Sequence, residues 1–456
     1  MAYRYAPFRF SPMGLRGLAP SATLVINERV NEMWRQGEWV YHLGFGESRF
    51  PVHPKIAQAL RENAYQHRYL PSLGVRELRE RIAEFYEDRF NIPAEPDYVI
   101  VGPGSKALIY ALLLALDGEL MLPTPSWVSY QPQAHLVGKR VNWIPAVPED
   151  GWELRLSAMM EAIDQAQTSW GNPGIVLLNS PNNPTGRMLS PAFLEGFAQY
   201  AREQGLAVLS DEIYGLVAHG TKEHQSLARY YPEGTVVLGG LSKHLSLGGW
   251  RLGVAIFPPT RAGAEVLRAI RTIASEIWSA TTAPVQFAAL IAYSMDSDVW
   301  EYIRLCTRLH ALRTRYLWRN LVEMGIRVPE PEGAFYLFPD FSRWREPLAR
   351  IGITTDTHLS MFLLDRYQLA TLPGSVFGAP SDALALRLSS SYLDMEDEEH
   401  ARAILDRALE DIEDEILMRE FHPRTNGAIA QFRRFIADME TDQAPKPWSN
   451  TPMATS

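Results

Sequence analysis

Six short apolar runs punctuate the middle of this chain, each closed by polar or glycine-rich residues. They are Tyr98–Val101, Glu119–Leu122, Ile175–Asn179, Ala207–Ser210, Val236–Leu238 and Leu252–Phe257. Segments with helical spacing accompany them, such as Leu78, Ile82, Phe85 and Tyr86. Parallel neighbours need a long crossover between them, usually a helix, so strand–helix alternation predicts a mostly parallel sheet with helices on both faces. The expected fold class is therefore α/β. Such sheets bind ligands beyond the C-terminal ends of their strands, which is where the polar motifs of this chain fall.

The 456 residues hold two or three domains' worth of core. A net charge of −9 leaves no basic face for nucleic acid or an anionic membrane. The single cysteine, Cys306, excludes an intramolecular disulfide and fits a reducing cytoplasm. The opening Met-Ala-Tyr-Arg-Tyr-Ala-Pro-Phe lacks the apolar centre of a secretory signal. The longest apolar run, Ala107 to Leu116, is too short to span a bilayer and reads as a buried helix. From Asp298 the stripe Ile303, Leu305, Leu309, Leu312, Tyr316 and Leu321 predicts a long amphipathic helix leading into a C-terminal domain. Past Arg419 the pattern is mixed, then rich in Pro, Ser and Thr, and the last 15 or so residues are expected to be a disordered tail.

The chemistry concentrates in Gly240-Leu-Ser-Lys-His-Leu-Ser-Leu-Gly-Gly-Trp-Arg-Leu-Gly253. Lys243 is an amine nucleophile beside Ser242 and a glycine-rich turn, with Arg251 eight residues on. That set suits a covalent aldehyde cofactor carrying a phosphate. On its own, a Ser-Lys pair near glycines is commonly a solvated loop. Ser180-Pro-Asn-Asn-Pro-Thr-Gly186 alone is a Pro/Asn turn, with Asn183–Pro184 a candidate cis bond. An acid pair such as Asp211-Glu212 at a strand end is often a helix cap. Val101-Gly-Pro-Gly-Ser-Lys106 opens a helix with glycines that free backbone N–H groups for an anion.

Taken in order, these motifs resemble the class I/II pyridoxal-phosphate-dependent aminotransferases, over nearly the whole stretch from Ala19 to Glu410. The likeness is to the bacterial aspartate/prephenate branch, through Pro20-Ser-Ala-Thr23, Gly104-Ser-Lys106 and Ser126-Trp-Val-Ser-Tyr130. It implies the fold type I transferase architecture, a large α/β domain with a smaller α+β domain. The corresponding division is an N-terminal arm over 1–50, a cofactor domain over 51–296, a small domain over 297–420 and an extension over 421–456. It also implies transfer of an amino group from an L-amino acid, acidic or aromatic, to a 2-oxo acid such as 2-oxoglutarate.

The resemblance assigns roles residue by residue. Lys243 forms the Schiff base with pyridoxal 5'-phosphate and then moves protons. Asp211 pairs with the pyridine nitrogen, while Tyr214 and Asn183 reach the phenolic oxygen. Gly104, Ser105, Lys106, Ser242 and Arg251 hold the phosphate, and Trp127 stacks on the ring. Arg387, in Leu386-Arg-Leu-Ser-Ser390, and the backbone at Gly46 bind the substrate α-carboxylate, with Trp127 and Asn183 also lining the substrate. Tyr69 reaches the phosphate of a neighbouring subunit, and one hydroxyl among Ser279, Thr281 and Thr282 also crosses, so a homodimer is expected. No metal is implied. Glu332-Gly-Ala-Phe-Tyr336 and Pro373-Gly-Ser-Val-Phe377 resemble small-domain segments. The chain departs from the family in Lys243-His-Leu-Ser and in its long C-terminus. The same cofactor machinery also serves lyases and synthases, such as C–S lyases or aminocyclopropane-carboxylate-synthase-like enzymes. A non-catalytic cofactor-sensing regulator domain is a further alternative, though it calls for a basic DNA-binding module upstream.

Overall fold

The computed structural model describes residues 22–441 except 170 and 411, so Pro20, Ser21 and the expected tail lie outside the described residues. The twelve described strands are β1 Tyr41–His42, β2 Val99–Gly102, β3 Leu120–Pro123, β4 Val141–Ile144, β5 Ile175–Asn179, β6 Ala207–Asp211, β7 Thr235–Gly240, β8 Gly253–Ile256, β9 Tyr336–Leu337, β10 Leu369–Ala370, β11 Leu372–Pro373 and β12 Leu386–Ser389. Seven form one sheet in the order β2-β8-β7-β6-β5-β3-β4. Pairing is parallel from β7 through to β4, whereas β8 runs antiparallel to both of its neighbours. The sheet is mostly parallel, as the alternation predicts.

Successive side chains point to opposite faces of a strand, and each face of this sheet meets its own helices. Ile100, Leu122, Leu177, Leu209 and Leu238 pack against the helices Ser105–Ala115 and Arg261–Ile277. Val101, Val237 and Val254 pack against Arg76–Phe90 and Ala283–Ala292 on the opposite side. Farther along the sheet, Val176, Leu178 and Val208 meet Leu156–Thr168 and Pro191–Gln204. All six predicted runs form strands. Within this seven-stranded sheet the one missed is β4, an edge strand of sequence Val-Asn-Trp-Ile in which only Ile144 is buried. With one neighbour and little apolar surface to hide, it leaves a weak pattern.

The long helix is Ser297–Glu323. Val299 and Ile303 belong to the core under the large sheet, and Leu317 and Leu321 to a second core. That second core includes Leu337 of β9 and Leu386 and Leu388 of β12, which belong to the antiparallel sheet β11-β12-β9.

The C-terminal extension is more ordered than its composition suggested. Pro423–Glu440 is an 18-residue helix whose Ala428, Ile429, Phe432, Phe435 and Ile436 join the second core. Its apolar spacing of three and four and the proline at its first position were present in the sequence, but its side-chain cap is not local. The Asp394 carboxylate, about thirty residues upstream, accepts the N–H groups of Arg424 at 2.8 Å and Thr425 at 2.9 Å. This caps the helix from outside the segment.

Candidate active site

Side chains from five strand ends converge beyond the large sheet. At the end of β5, Asn179 ties two loops together. Its Nδ2 donates to the Asp211 carbonyl at 2.8 Å, and its Oδ1 accepts the Asn183 N–H at 2.7 Å. Asn183 is buried, and its own Oδ1 has no hydrogen-bond partner. The cis peptide bonds of this region are Ser180–Pro181 and Thr124–Pro125, so the expectation at Asn183–Pro184 is corrected. The turn between Asn179 and Asn182 places the cis bond at the first proline of the motif.

Asp211 ends β6 and is 3% exposed. Its carboxylate accepts hydrogen bonds from the Tyr130 hydroxyl at 2.6 Å and the Ile213 N–H at 3.2 Å. Burial nevertheless dominates and pushes its pKa up to about 6, against those two bonds and the field of Lys243. Glu212 points elsewhere, into a buried cluster with Ser210, Ser226 and His224. It is an anchor for the loop that follows.

Lys243, just past β7, donates from Nζ to the Gly46 carbonyl at 2.7 Å. Burial, reinforced by the Arg387 charge, lowers its pKa to about 8. The Tyr214 ring lies 5.4 Å from Nζ, and its hydroxyl is 2.7 Å from that of Tyr336. Tyr336 in turn stands against Arg387, whose guanidinium is 4.9 Å from the ring centroid.

Arg387 sits on β12 and is 4% exposed. It donates to the Gly44 carbonyl, and its Nε has no hydrogen-bond partner. Among the described residues, no carboxylate forms an ion pair with it. A buried guanidinium left uncompensated is costly, and a carboxylate ligand removes that cost. Gly46 lies against Tyr336, the ring that Arg387 faces, since a Cβ there would come within 2.4 Å of the Tyr336 hydroxyl.

The helix Ser105–Ala115 opens at Gly104, whose φ of +89° suits glycine. A Cβ at Gly104 would lie 2.2 Å from Arg251 Nη2, so the glycine leaves room for that guanidinium beside the helix N-terminus. Arg251 is held by bonds to the carbonyls of Gly248 at 2.8 Å and Pro103 at 3.5 Å. Ser242 is half-buried beside Lys243. Lys106 extends its ammonium to 4.9 Å from the Trp127 ring, and burial lowers its pKa with help from Arg251. Trp127 contacts Tyr130 edge-on at 5.2 Å.

These residues form one connected constellation, from Gly104, Ser105, Lys106 and Arg251 through Trp127 and Asp211 to Lys243, Tyr214, Asn183, Gly46 and Arg387. Tyr69 stands outside it, 92% exposed in the single chain. Thr281 is committed to the Val101 carbonyl at 3.2 Å, while Ser279 and Thr282 are exposed. Two functional contacts escaped the sequence reading. Tyr130 and Tyr336 both lie in recognised motifs, yet nothing local says that their hydroxyls reach residues 81 and 122 positions away.

The constellation suits pyridoxal phosphate on its donor set alone. Asn183 Oδ1 is an orphaned polar atom, Asp211 is a buried anion, and Gly104 with Arg251 makes an anion cradle at a helix start.

Residues 40–405 match the family profile described as aminotransferase class I and II. An aspartate aminotransferase of Bacillus subtilis is 33% identical over 392 residues, 84% of this chain and 94% of that protein. A probable aspartate/prephenate aminotransferase of Aquifex aeolicus is 32% identical, covering 87% of this chain and 97% of the relative. Among solved structures, the aspartate aminotransferase of Thermus thermophilus with maleate superposes with a TM-score of 0.78 at 26% identity, over 94% of this chain and all of that one.

Proposed function

The chain belongs to the class I and II aminotransferases and is a pyridoxal-phosphate-dependent enzyme, and within that family we propose that it takes its amino group from an acidic L-amino acid, with aromatic ones second. The acceptor is a 2-oxo acid such as 2-oxoglutarate. The observation that carries an α-amino acid as donor is Arg387, a buried guanidinium without an acid partner that shares a pocket with the Lys243 amine.

The bound cofactor supplies a carbonyl that takes up the amino group and an electron-poor ring that accepts charge. The residues of this chain do the rest. Arg387 orients the α-carboxylate with two parallel charge-assisted bonds, and the Gly46 region closes over it. Lys243, with a pKa near 8, exchanges a proton at Nζ near neutral pH, where an unperturbed lysine would stay charged. Asp211 holds a proton on the pyridine nitrogen, and Tyr130 keeps its carboxylate charged and oriented. Asn183 and Tyr214 would serve the phenolic oxygen, Trp127 would lie against the ring, and Gly104, Ser105, Ser242 and Arg251 would hold the phosphate. Lys106 is placed to meet either the phosphate or a second substrate carboxylate, beside Trp127.

The preference for acidic donors also rests on the names of the relatives, which act on aspartate or prephenate. The wide exposure of Tyr69 supports a homodimer in which that hydroxyl completes the neighbour's phosphate site. The lone buried thiol of Cys306 supports a cytoplasmic setting, with a biosynthetic role in amino-acid metabolism. Among the described residues no helix is long and apolar enough to cross a membrane.

A panel of amino donors with 2-oxoglutarate, following oxo-acid and ammonia release separately, tests the assignment. Oxo acid without ammonia, fastest with acidic donors, is the expected outcome. Stoichiometric ammonia release would favour a lyase and overturn it.

A further inference from the structure

His42 is fully buried at the end of β1 and close enough to Arg387 to feel its charge. After it the chain leaves its pairing with β10 and runs as a short strap, Leu43 to Ser48, past the Arg387 and Lys243 side chains. The strap carries a carbonyl for each cation. The Gly44 carbonyl accepts from the Arg387 guanidinium, and the Gly46 carbonyl accepts from Lys243 Nζ at 2.7 Å. Among the described residues, Gly44 is the guanidinium's hydrogen-bond partner, while the Tyr336 and Phe377 rings flank it at 4.9 and 5.3 Å. Ring faces hold a guanidinium loosely, whereas a charge-assisted hydrogen bond is directional. The place of Gly44 therefore sets where the fork points.

His42 fixes that place. The Gly44 N–H donates to His42 Nδ1 at 3.2 Å. An imidazole nitrogen that accepts carries no proton, so the proton sits on Nε2, which faces Asn27 Oδ1 of the helix Ala22–Arg35 at 3.1 Å. Burial, reinforced by the Arg387 charge, lowers the His42 pKa to about 3 and keeps the ring in this neutral form. The ring also stacks on Phe45 of the strap, with centroids 3.7 Å apart and planes 1° from parallel. Gly44 has to be small here, since a Cβ would come 3.1 Å from His42 Cε1. The same peptide unit is held at its other end, where the Leu43 carbonyl accepts the Ser389 N–H at 2.7 Å, two residues beyond Arg387 on β12. The far end of the strap has its own anchor, for Ser48 Oγ lies 2.6 Å from Ser246 Oγ and 2.9 Å from His310 Nε2.

We propose that His42 is a positioning residue for the substrate α-carboxylate, acting through the Gly44 backbone on Arg387. This rests on the reading of Arg387 as the carboxylate ligand. The α-carboxylate does not react, so the pose of the guanidinium matters equally before and during chemistry. Loosening it removes uniform binding, which raises KM and leaves kcat in place. The effect falls on every amino donor and on 2-oxoglutarate alike, since each presents the same group.

Two variants of the cofactor-loaded enzyme separate the Gly44 bond from simple packing. Both lose the ring and its stack. His42→Asn places an amide oxygen where Nδ1 stood and keeps the acceptor, whereas His42→Gln reaches only the Nε2 position and loses it. Expected for His42→Gln is a rise in KM of about five- to tenfold for L-aspartate, L-alanine and 2-oxoglutarate, with kcat unchanged. His42→Asn should keep KM near that of the parent. In an Arg387→Ala background His42→Gln should add nothing, because its effect passes through the guanidinium. Asn27→Ala frees the far edge of the ring, should move KM the same way, and stands in if His42→Gln does not fold. The inference is overturned if these changes lower the melting temperature but leave KM unchanged while Arg387→Ala raises it. It is equally overturned if both His42 variants lose alike, or if the rise persists without Arg387. If Arg387→Ala itself leaves KM unchanged, the carboxylate reading fails and this inference falls with it.

Discussion

The Tyr130 hydroxyl donates a 2.6 Å hydrogen bond to the Asp211 carboxylate, joining the helix Tyr130–Leu136 to the end of β6. Both groups are buried, so the bond favours the charged carboxylate that burial opposes. Tyr130→Phe removes it and should raise the Asp211 pKa further. A hydrogen bond to a charged group contributes roughly 1.5–3 kcal/mol, so kcat/KM should fall about 10- to 100-fold. Steady-state kinetics with cofactor affinity measured in parallel check this. An unchanged kcat/KM would show that Tyr130 does not support the carboxylate.

Asp211 itself trades stability for function. Its folded pKa, about 6, lies above the ordinary aspartate value, so the folded cofactor-free protein binds a proton more readily than the unfolded chain. The sign is that this group costs stability as pH rises from about 4 through 6. The cost at neutral pH is on the order of 3 kcal/mol at most. Asp211→Asn should therefore raise the melting temperature of the cofactor-free protein at pH 7–8, while kcat drops by orders of magnitude and cofactor still binds. Thermal melts across pH, set beside turnover, provide the check.

Lys243 is the expected attachment point of the cofactor. Borohydride treatment of the loaded protein should fix pyridoxal phosphate to a single peptide containing Lys243, and Lys243→Ala should abolish the fixed product. Peptide mapping that finds the label on Lys106 would reverse the assignment.

Arg387→Ala should raise KM steeply for every α-amino acid, and Arg387→Lys should restore little, because an ammonium lacks the planar fork. Lys106→Ala separates the two tasks open to that residue. A selective loss with dicarboxylates assigns it to the substrate, whereas a uniform loss with weaker cofactor binding assigns it to the phosphate.

The C-terminal helix should behave as core. Phe432 is fully buried among Phe341 and Phe435, and Phe432→Ala should cost about 3–5 kcal/mol, read as a lower denaturation midpoint. A loss below about 1 kcal/mol would mean that the helix is an appendage.

The sheet and much of the site were legible from the sequence because their signals are local. Buried strands such as Ile175–Asn179 show as continuous apolar runs. Lys243, Asp211, Asn183 and Gly104 stand in or beside turns at strand ends, and the order of their motifs along the chain, which resembles the class I/II aminotransferases, singles them out. What the tertiary structure decided is everything that depends on distance across the chain. The Tyr130–Asp211 bond, the Tyr214–Tyr336 contact and the depressed Lys243 pKa arise only when separate strand ends meet away from water. The helix Pro423–Glu440 shows the same division. Its apolar spacing was encoded locally, but its cap comes from Asp394 and its stability from a core built by segments far along the chain. Periodicity and turn chemistry are properties of neighbours in sequence, whereas burial, field and hydrogen-bond partnership are properties of neighbours in space.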